Sequence, residues 1–279
     1  MNDPELSTPI SLDANDLKAW VETHNERDYL IIDVRQPLEY HHGHIPGAMF
    51  LPLLDLESKL FDLPADRDLI FYCSNGGRSL AAATLVIDAE VTDRRVYNLS
   101  GGILRWYGQT LPGFPEVKAL DESGGIDTLL YTAMNLEKGA WRFYDFLASR
   151  HAGEPWAATF EALSRAETAH AAAVYAIWAS CKENPPTFES LFETLAGDIL
   201  EGGELLTDVL AGVSPSVPEE ACIHLIELSL LIEYRAFELY RTVADRAPDN
   251  DARDALLALA QAEKAHMRVL TQAIETCSG

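Results

Sequence analysis

Residues 129–170 can be laid over residues 225–266 without a gap, at a constant offset of 96. In that register Glu137 falls on Glu233, Ala140 on Ala236, Tyr144 on Tyr240, Glu167 on Glu263 and His170 on His266. The pentapeptides AETAH (166–170) and AEKAH (262–266) are thus one motif written twice. Such self-similarity is the mark of one supersecondary unit used twice, each copy burying the apolar face of the other. Apolar residues recur at three and four positions throughout both copies, so the unit is a pair of amphipathic helices. Two helix pairs packed together make a four-helix bundle, which is the expected fold of residues 126–279.

The interval inside each copy has a chemical consequence. The leading glutamate precedes the glutamate of E-x-x-H by 30 residues. From Glu137 a helix runs outward to Arg150, the chain turns at HAGEP, and a second helix returns to Glu167. At ~1.5 Å per residue the two legs are roughly 20 and 17 Å, so the two glutamates end level on neighbouring antiparallel helices. Glu167 and His170, three residues apart, share one helical face. Ala166, Ala169, Ala262 and Ala265 are small enough to let the helices approach closely.

Packing the copies face to face gathers Glu137, Glu167, His170, Glu233, Glu263 and His266. One Glu from each of two helices plus Glu-x-x-His from each of the other two is the donor set of di-iron carboxylate bundles. Carboxylate oxygen and imidazole without thiolate suit two iron ions per chain, with manganese as the alternative. Tyr144 and Tyr240 follow their glutamates by two turns, either as hydrogen-bond donors to the carboxylates or as core aromatics with a polar tip; Trp141 and Phe237 are expected in the core. Residues 187–212 form a further amphipathic stretch, long enough to be the crossover between the hairpins and a candidate dimer contact.

The first 113 residues have a different texture. Runs rich in β-branched and aromatic residues, YLIIDV (29–34), LIFYC (69–73) and RVYNLS (95–100), alternate with helical patterns such as DANDLKAWVET and RSLAAATLVIDAE. Strands alternating with helices predict an α/β domain, a mainly parallel sheet with flanking helices. Residues 114–125, FPEVKALDESGG, read as a linker to the helical domain.

Within the α/β half, FYCSNGGRSLAAATLV reads as strand, tight loop and helix, with Cys73 at the strand end and Arg78 opening the helix. Gly76 and Gly77 allow the backbone to curl so that successive N–H groups point inward, and the helix dipole adds positive potential. A thiol held there has a lowered pKa and is a reactive nucleophile. Cys73 and Arg78 are the candidate catalytic residues; Ser74, Asn75, Gly76, Gly77 and Ser79 line the candidate substrate loop.

Three segments in order, IIDVRQPLEYHHGHIPGAMFLPL (31–53), CSNGGRS (73–79) and VYNLSGGILRWYGQTLPG (96–113), resemble the successive signatures of a single rhodanese domain over about residues 10–113. The resemblance implies that Cys73 carries sulfane sulfur as a persulfide, stabilised by the amides of residues 74–78 and the Arg78 side chain. Asp33, Arg35, Glu39 and His44 match family positions and are expected to make ion pairs and turn contacts behind the loop. The interval from Cys73 to Arg78 is that of sulfur-transferring members, shorter than in the related phosphatases. Thiosulfate, a polysulfide and a small persulfide all remain as donors.

The helical half resembles the ferritin-like superfamily in its rubrerythrin or erythrin branch. The residues that carry this are AMNLEKGAWRFYDFLA and LSLLIEYRAFELYRTVAD, each followed by E-x-x-H. The chain departs from that branch in lacking a C-x-x-C pair, hence a rubredoxin-type iron site, and in having no glutamate one turn from Glu233, where Ser229, Leu230, Ala236 and Phe237 stand. Three readings of the fusion follow. A sulfurtransferase can be coupled to a di-iron redox centre. A peroxide-reducing or iron-oxidising bundle can use the first domain as a relay. The bundle can also be a metal-dependent dimerisation scaffold.

A formal net charge of −23 opposes contact with nucleic-acid phosphate. The N-terminus lacks the basic and apolar regions of a secretory signal, and no window approaches a membrane span. The four cysteines are scattered, so a cytoplasmic protein is expected, with Cys181, Cys222 and Cys277 as buried or incidental thiols. A small sulfur compound, an external electron donor and a second copy of the chain complete the expected partners.

Overall fold

The structure is a computed structural model that describes residues 7–120, 125–213, 218–247 and 250–278. Residues 121–124 of the expected linker and the sequence interruptions at 214–217 and 248–249 lie outside the described residues. The chain divides into two compact units, Met1–Phe114 and Pro115–Gly279.

The first unit runs β1 (Ile10–Leu12), α1 (Ala14–Thr23), β2 (Tyr29–Asp33), α2 (Pro37–His42), β3 (Met49–Phe50), α3 (Leu53–Leu56), β4 (Asp68–Tyr72), α4 (Gly77–Asp88) and β5 (Val96–Leu99). The five strands pair in the order β1-β5-β4-β2-β3, every pair parallel. The three apolar runs of the sequence are the central strands, and the two short edge strands carry too few residues to show a period. Alternation along the strands sorts the core into two layers. Leu30, Ile32, Leu69 and Phe71 pack with Ala82, Ala83 and Val86 of α4, whereas Tyr29, Ile31, Ile70 and Tyr72 pack with Ala14 and Leu17 of α1. Every residue of β2 is buried, as a strand covered on both faces must be. Asp13 caps α1 by accepting from the amides of Asn15 (2.8 Å) and Asp16 (2.9 Å). Glu39 accepts from the Gln36 amide at the start of α2 (3.0 Å), with Pro37 in the first turn.

Among its described residues the second unit has four long helices, α5 (Gly125–Arg150), α6 (Ala157–Ser180), α9 (Pro218–Ala244) and α10 (Asn250–Ala273), with two short ones, α7 (Phe188–Thr194) and α8 (Leu206–Gly212), in the crossover. The helix pairs α5–α6 and α9–α10 are the two copies of the repeat. On α5 the buried stripe Leu130, Ala133, Met134, Glu137, Ala140, Phe143, Tyr144 and Leu147 keeps helical spacing with one acid in its middle. On α10, Leu256, Leu259, Ala260, Glu263, Met267 and Leu270 repeat it.

The amphipathic stretch 187–212 supplies the crossover, and one expectation, that for two of the cysteines, is corrected. The crossover is not continuous helix. It breaks between α7 and α8 into a tight turn at 199–205, where Ile199 bridges Leu205 and Gly197 and Gly203 adopt positive φ. Cys222 and Cys277 are not incidental thiols; they form a disulfide, while Cys73 and Cys181 are free. A separation of 55 residues carries no motif, but the antiparallel α9–α10 hairpin returns the chain end to the start of α9, bringing the two Cα atoms to 5.6 Å.

Candidate active site and metal centre

Cys73 is the first residue beyond β4 and is fully buried. The Gly76 amide donates to its sulfur at 3.2 Å and the Ser79 hydroxyl lies 3.4 Å away, also within 2.7 Å of Asn98 Oδ1. Burial pushes the thiol up, but the Ser79 hydroxyl and the amides of Ser79, Asn75 and Gly76 outweigh it and hold the pKa below the ordinary thiol value. α4 begins at Gly77, so Arg78 stands in its first turn.

The loop keeps its amides inward because its carbonyls are taken from outside. Ile103 N–H donates to Cys73 O (2.9 Å) and Leu104 N–H to Ser74 O (3.1 Å). These donors lie just past Gly101 and Gly102 of the SGG segment. Gly102 has φ +57, and a Cβ there would lie 2.2 Å from Cys73 O. Gly76 has φ +96, which opens the turn.

Arg78 reaches across the loop mouth. Its guanidinium donates to both Glu39 oxygens (2.6 and 2.7 Å) and to Ser74 Oγ (2.9 Å), and Ser74 Oγ donates to Glu39 Oε1 (2.6 Å). The Arg78 hydrogen bonds hold the Glu39 carboxyl well below the usual carboxylate range, and Glu39 in turn raises Arg78. Glu39 therefore belongs to the loop, in front of the position expected for it. Asp33 and Arg35 form a buried ion pair (2.7 Å), and Arg35 also donates to Gly43 O (2.7 Å). His44 stacks on Tyr40 at 3.7 Å and hydrogen-bonds its carbonyl through Nδ1 (3.2 Å).

In the bundle, all six acids and imidazoles of the repeat converge. His170 Nδ1 lies 3.2 Å from Glu167, 3.3 Å from Glu137 and 3.9 Å from Glu263. His266 Nδ1 lies 3.0 Å from Glu263, 3.1 Å from Glu233 and 3.2 Å from Glu167. Each imidazole nitrogen thus faces its own E-x-x-H glutamate, the leading glutamate of its own hairpin and the E-x-x-H glutamate of the other. The rings stack at 4.8 Å, completing a pseudo-twofold arrangement. The tyrosines cross between hairpins: Tyr144 donates to Glu233 Oε1, and Tyr240 to Glu137 Oε1 at 2.5 Å. Both phenols are therefore hydrogen-bond donors to carboxylates.

Packing so many carboxylates in an apolar bundle costs several kcal/mol for each uncompensated charge. Burial and the neighbouring Glu167 push Glu137 up to about 7 against the opposing His170. Burial lowers His170, yet Glu137 and Glu167 drive it up to about 11. Glu137 Oε2 and Glu263 Oε2 are buried against the imidazole nitrogens, His170 Nδ1 at 3.3 Å and His266 Nδ1 at 3.0 Å. Glu167, His170, Glu263 and His266 offer four ligand atoms all within 4.8 Å of one another. Hard carboxylate oxygens and two imidazoles, with no thiolate among them, fit a pair of iron or manganese ions.

Glu201, between α7 and α8, is a further buried acid that the sequence did not single out. It is 2 % exposed, its Oε2 has no hydrogen-bond partner, and Glu137, Glu167 and Glu263 act on it electrostatically. The available signal was EGGE inside an otherwise amphipathic stretch, where paired glycines mark a turn able to press an acid inward.

Comparison with known proteins separates the two halves in the same way. Residues 13–109 match the family described as Rhodanese-like domain, and residues 128–194 match that described as Rubrerythrin. A sulfurtransferase from Allochromatium vinosum is 38 % identical over 85 residues, which cover 30 % of this chain and 78 % of that protein. The thiosulfate sulfurtransferase GlpE from Pseudoalteromonas translucida is 30 % identical over 86 residues, covering 31 % of this chain and 80 % of its own. Longer relatives are matched in part only; the probable adenylyltransferase/sulfurtransferase MoeZ of Mycobacterium tuberculosis is 36 % identical over 99 residues, 35 % of this chain and 24 % of that one. A rubrerythrin domain implies a di-iron site, and the Glu/His group of the bundle is a possible place for it.

Proposed function

Because this chain belongs to the rhodanese family and carries a rubrerythrin domain behind its sulfurtransferase domain, we propose that it moves sulfane sulfur through Cys73 and couples that transfer to a di-iron centre. The observation that carries the first part is the sulfur of Cys73, hydrogen-bonded by the Gly76 amide and approached by Ser79 Oγ at the base of a loop whose carbonyls are tied back. A thiolate held there attacks the outer sulfur of thiosulfate. The sulfur–sulfur bond breaks, sulfite leaves with the electron pair, and Cys73 holds a persulfide. An acceptor thiolate then takes the terminal sulfur and returns Cys73 to thiolate. The amides of residues 74–78 neutralise the charge on the persulfide. Arg78, shared with Glu39, positions the loop mouth and lends part of its charge. A small persulfide is an equally fitting donor, since only the transferred sulfur enters the loop.

In the bundle, Glu137, Glu167 and His170 from the first hairpin and Glu233, Glu263 and His266 from the second would hold two metal ions, iron being the family's metal. When bound, the pair supplies redox chemistry toward oxygen, peroxide or a sulfur species. Tyr144 and Tyr240 orient Glu233 and Glu137 from the opposite hairpin, and the surrounding apolar stripes exclude water. In this reading an external electron donor serves the centre, because the chain has no C-x-x-C pair, and the protein works as a cytoplasmic homodimer. Among the described residues no helix is long and apolar enough to cross a membrane.

The test has two arms on the full chain. Cys73→Ala abolishes thiosulfate:cyanide transfer with metal content unchanged; retained transfer removes Cys73 from the mechanism. Protein purified without a metal-binding tag carries about two irons per chain, lost in Glu167→Ala/Glu263→Ala. Coupling is read from the oxidation rate of the reduced centre with and without persulfide on Cys73, and identical rates would separate the domains chemically.

A further inference from the structure

We infer that Glu201 is a fifth carboxylate of the bundle's metal site, delivered by the crossover, and that its extra negative charge favours the more highly charged, oxidised metal pair. The inference rests on the di-metal reading above and adds to it a residue from outside the repeat.

The turn that carries Glu201 is fastened on both sides. On α5, Asn135 Oδ1 accepts from the Gly197 amide (3.1 Å). Arg142 Nη1 donates to Ala196 O (2.7 Å), Gly197 O (3.0 Å) and Asp198 Oδ1 (2.7 Å). On α9, Arg235 pairs with Glu204. The turn closes on itself through Leu200 N–H to Glu204 O (3.0 Å), Gly203 N–H to Leu200 O (2.8 Å) and Leu206 N–H to Asp198 O (2.8 Å). Leu200 is fully buried beside Glu201, so the turn enters the core instead of running over it.

Its depth is set by Gly139, two residues after Glu137. A Cβ at Gly139 would meet Ile199 O at 2.4 Å, so the missing side chain is what lets the turn's backbone lie against α5. Arg235 likewise follows Glu233 by two. The two leading glutamates of the repeat are therefore each followed, two residues on, by a residue against the turn, Gly139 under Ile199 and Arg235 on Glu204.

A buried carboxylate oxygen without a partner is costly unless a proton or a cation compensates its charge. Glu201 Oε2 is such an atom, among Glu137, Glu167 and Glu263. A cation supplies that compensation. The four carboxylates of the repeat carry four negative charges when ionised, which two divalent ions neutralise with imidazoles neutral. A fifth leaves an excess of one negative charge on a divalent pair and offsets five of the six positive charges on a trivalent pair. Removing that charge should weaken retention of the oxidised pair more than of the reduced pair.

Glu201→Gln keeps the side chain's shape and removes its charge. The full-length variant and wild type are loaded with ferrous iron anaerobically, and half of each is oxidised. Iron release to a chelator is followed in both states, with the midpoint potential of the pair and the melting temperature of the iron-free chain. We expect two irons per chain in both proteins. The variant should release oxidised iron roughly tenfold or more faster, with a smaller change in the reduced state, and show a more positive potential. Its iron-free form should melt no lower than wild type, because the substitution removes a buried acid. Equal release in both states together with an unchanged potential overturns the inference while leaving the di-metal reading intact. Failure of wild type itself to hold two irons overturns the underlying reading instead. A lower melting temperature of the iron-free variant would make Glu201 a structural acid and also overturn the inference.

Discussion

Gly102→Ala is the most direct test of how the Cys73 loop is held. The added methyl would sit 2.2 Å from Cys73 O and 2.6 Å from both the carbonyl carbon and oxygen of Ser74, all backbone atoms. Restoring an ordinary contact of about 3.4 Å requires a shift of about 1 Å in the loop or in the SGG segment. The residue also keeps φ +57, where an alanine costs about 1–2 kcal/mol. The shift strains the bonds from Ile103 N–H to Cys73 O and from Leu104 N–H to Ser74 O, each contributing about 1 kcal/mol. The sum is a destabilisation of about 3–4 kcal/mol confined to the first unit. Misplacing a reacting sulfur by about 1 Å costs on the order of a hundredfold in rate. Thiosulfate:cyanide transfer should therefore fall about a hundredfold at temperatures where circular dichroism shows the variant folded, with the iron content of the bundle unchanged. Transfer within a few-fold of wild type and an unshifted melting curve would refute the claim that the SGG segment sets the loop's conformation.

Other consequences follow from the same contacts. Ser79→Ala removes a hydrogen bond that favours the Cys73 thiolate, so the thiol pKa rises and the acid limb of kcat/KM and of alkylation moves to higher pH. Below that limb the variant should run roughly tenfold slower than wild type, converging with it at alkaline pH; superimposable profiles would exclude Ser79 from setting the thiol. Glu39, whose pKa is lowered by Arg78, contributes stability that is present above the ordinary carboxylate range and lost as pH falls below it. Glu39→Gln should flatten the acid limb of a stability-versus-pH curve, and an unchanged limb would show that the Arg78 pair contributes nothing measurable. Cys222→Ser opens a closure of 55 residues and should destabilise the bundle by about 4 kcal/mol on chain-entropy grounds, read as a lower denaturation midpoint that reductant also produces in wild type. A midpoint insensitive to both would show that the pair does not constrain the unfolded chain.

Much of the molecule is local and therefore legible in the chain. The two-domain division, parallel α/β followed by helices, follows from a change of texture, with short β-branched and aromatic runs alternating with helical patterns before the linker and helical spacing alone after it. Helical spacing alone places Glu167 with His170 and Glu263 with His266, because a helix puts residues three apart on one face whatever surrounds it. The constant offset of 96 carries the correspondence between the hairpins. The compact loop after Cys73 depends on residues adjacent in sequence, so its glycines and its position before a helix are visible without coordinates.

What tertiary structure alone decided are the contacts between segments that no period links. Tyr144 reaches Glu233 and Tyr240 reaches Glu137 because the hairpins pack as a pseudo-twofold pair, a relation between helices that neither helix encodes. Glu39 meets Arg78 across 39 residues, Cys222 meets Cys277 across 55, and Glu201 is buried on a turn that Gly139 and Gly197 allow to lie against α5. Short-range spacing is written into the chain by backbone geometry. The meeting of distant side chains is settled by which faces bury one another, and so becomes visible only when the packing is known.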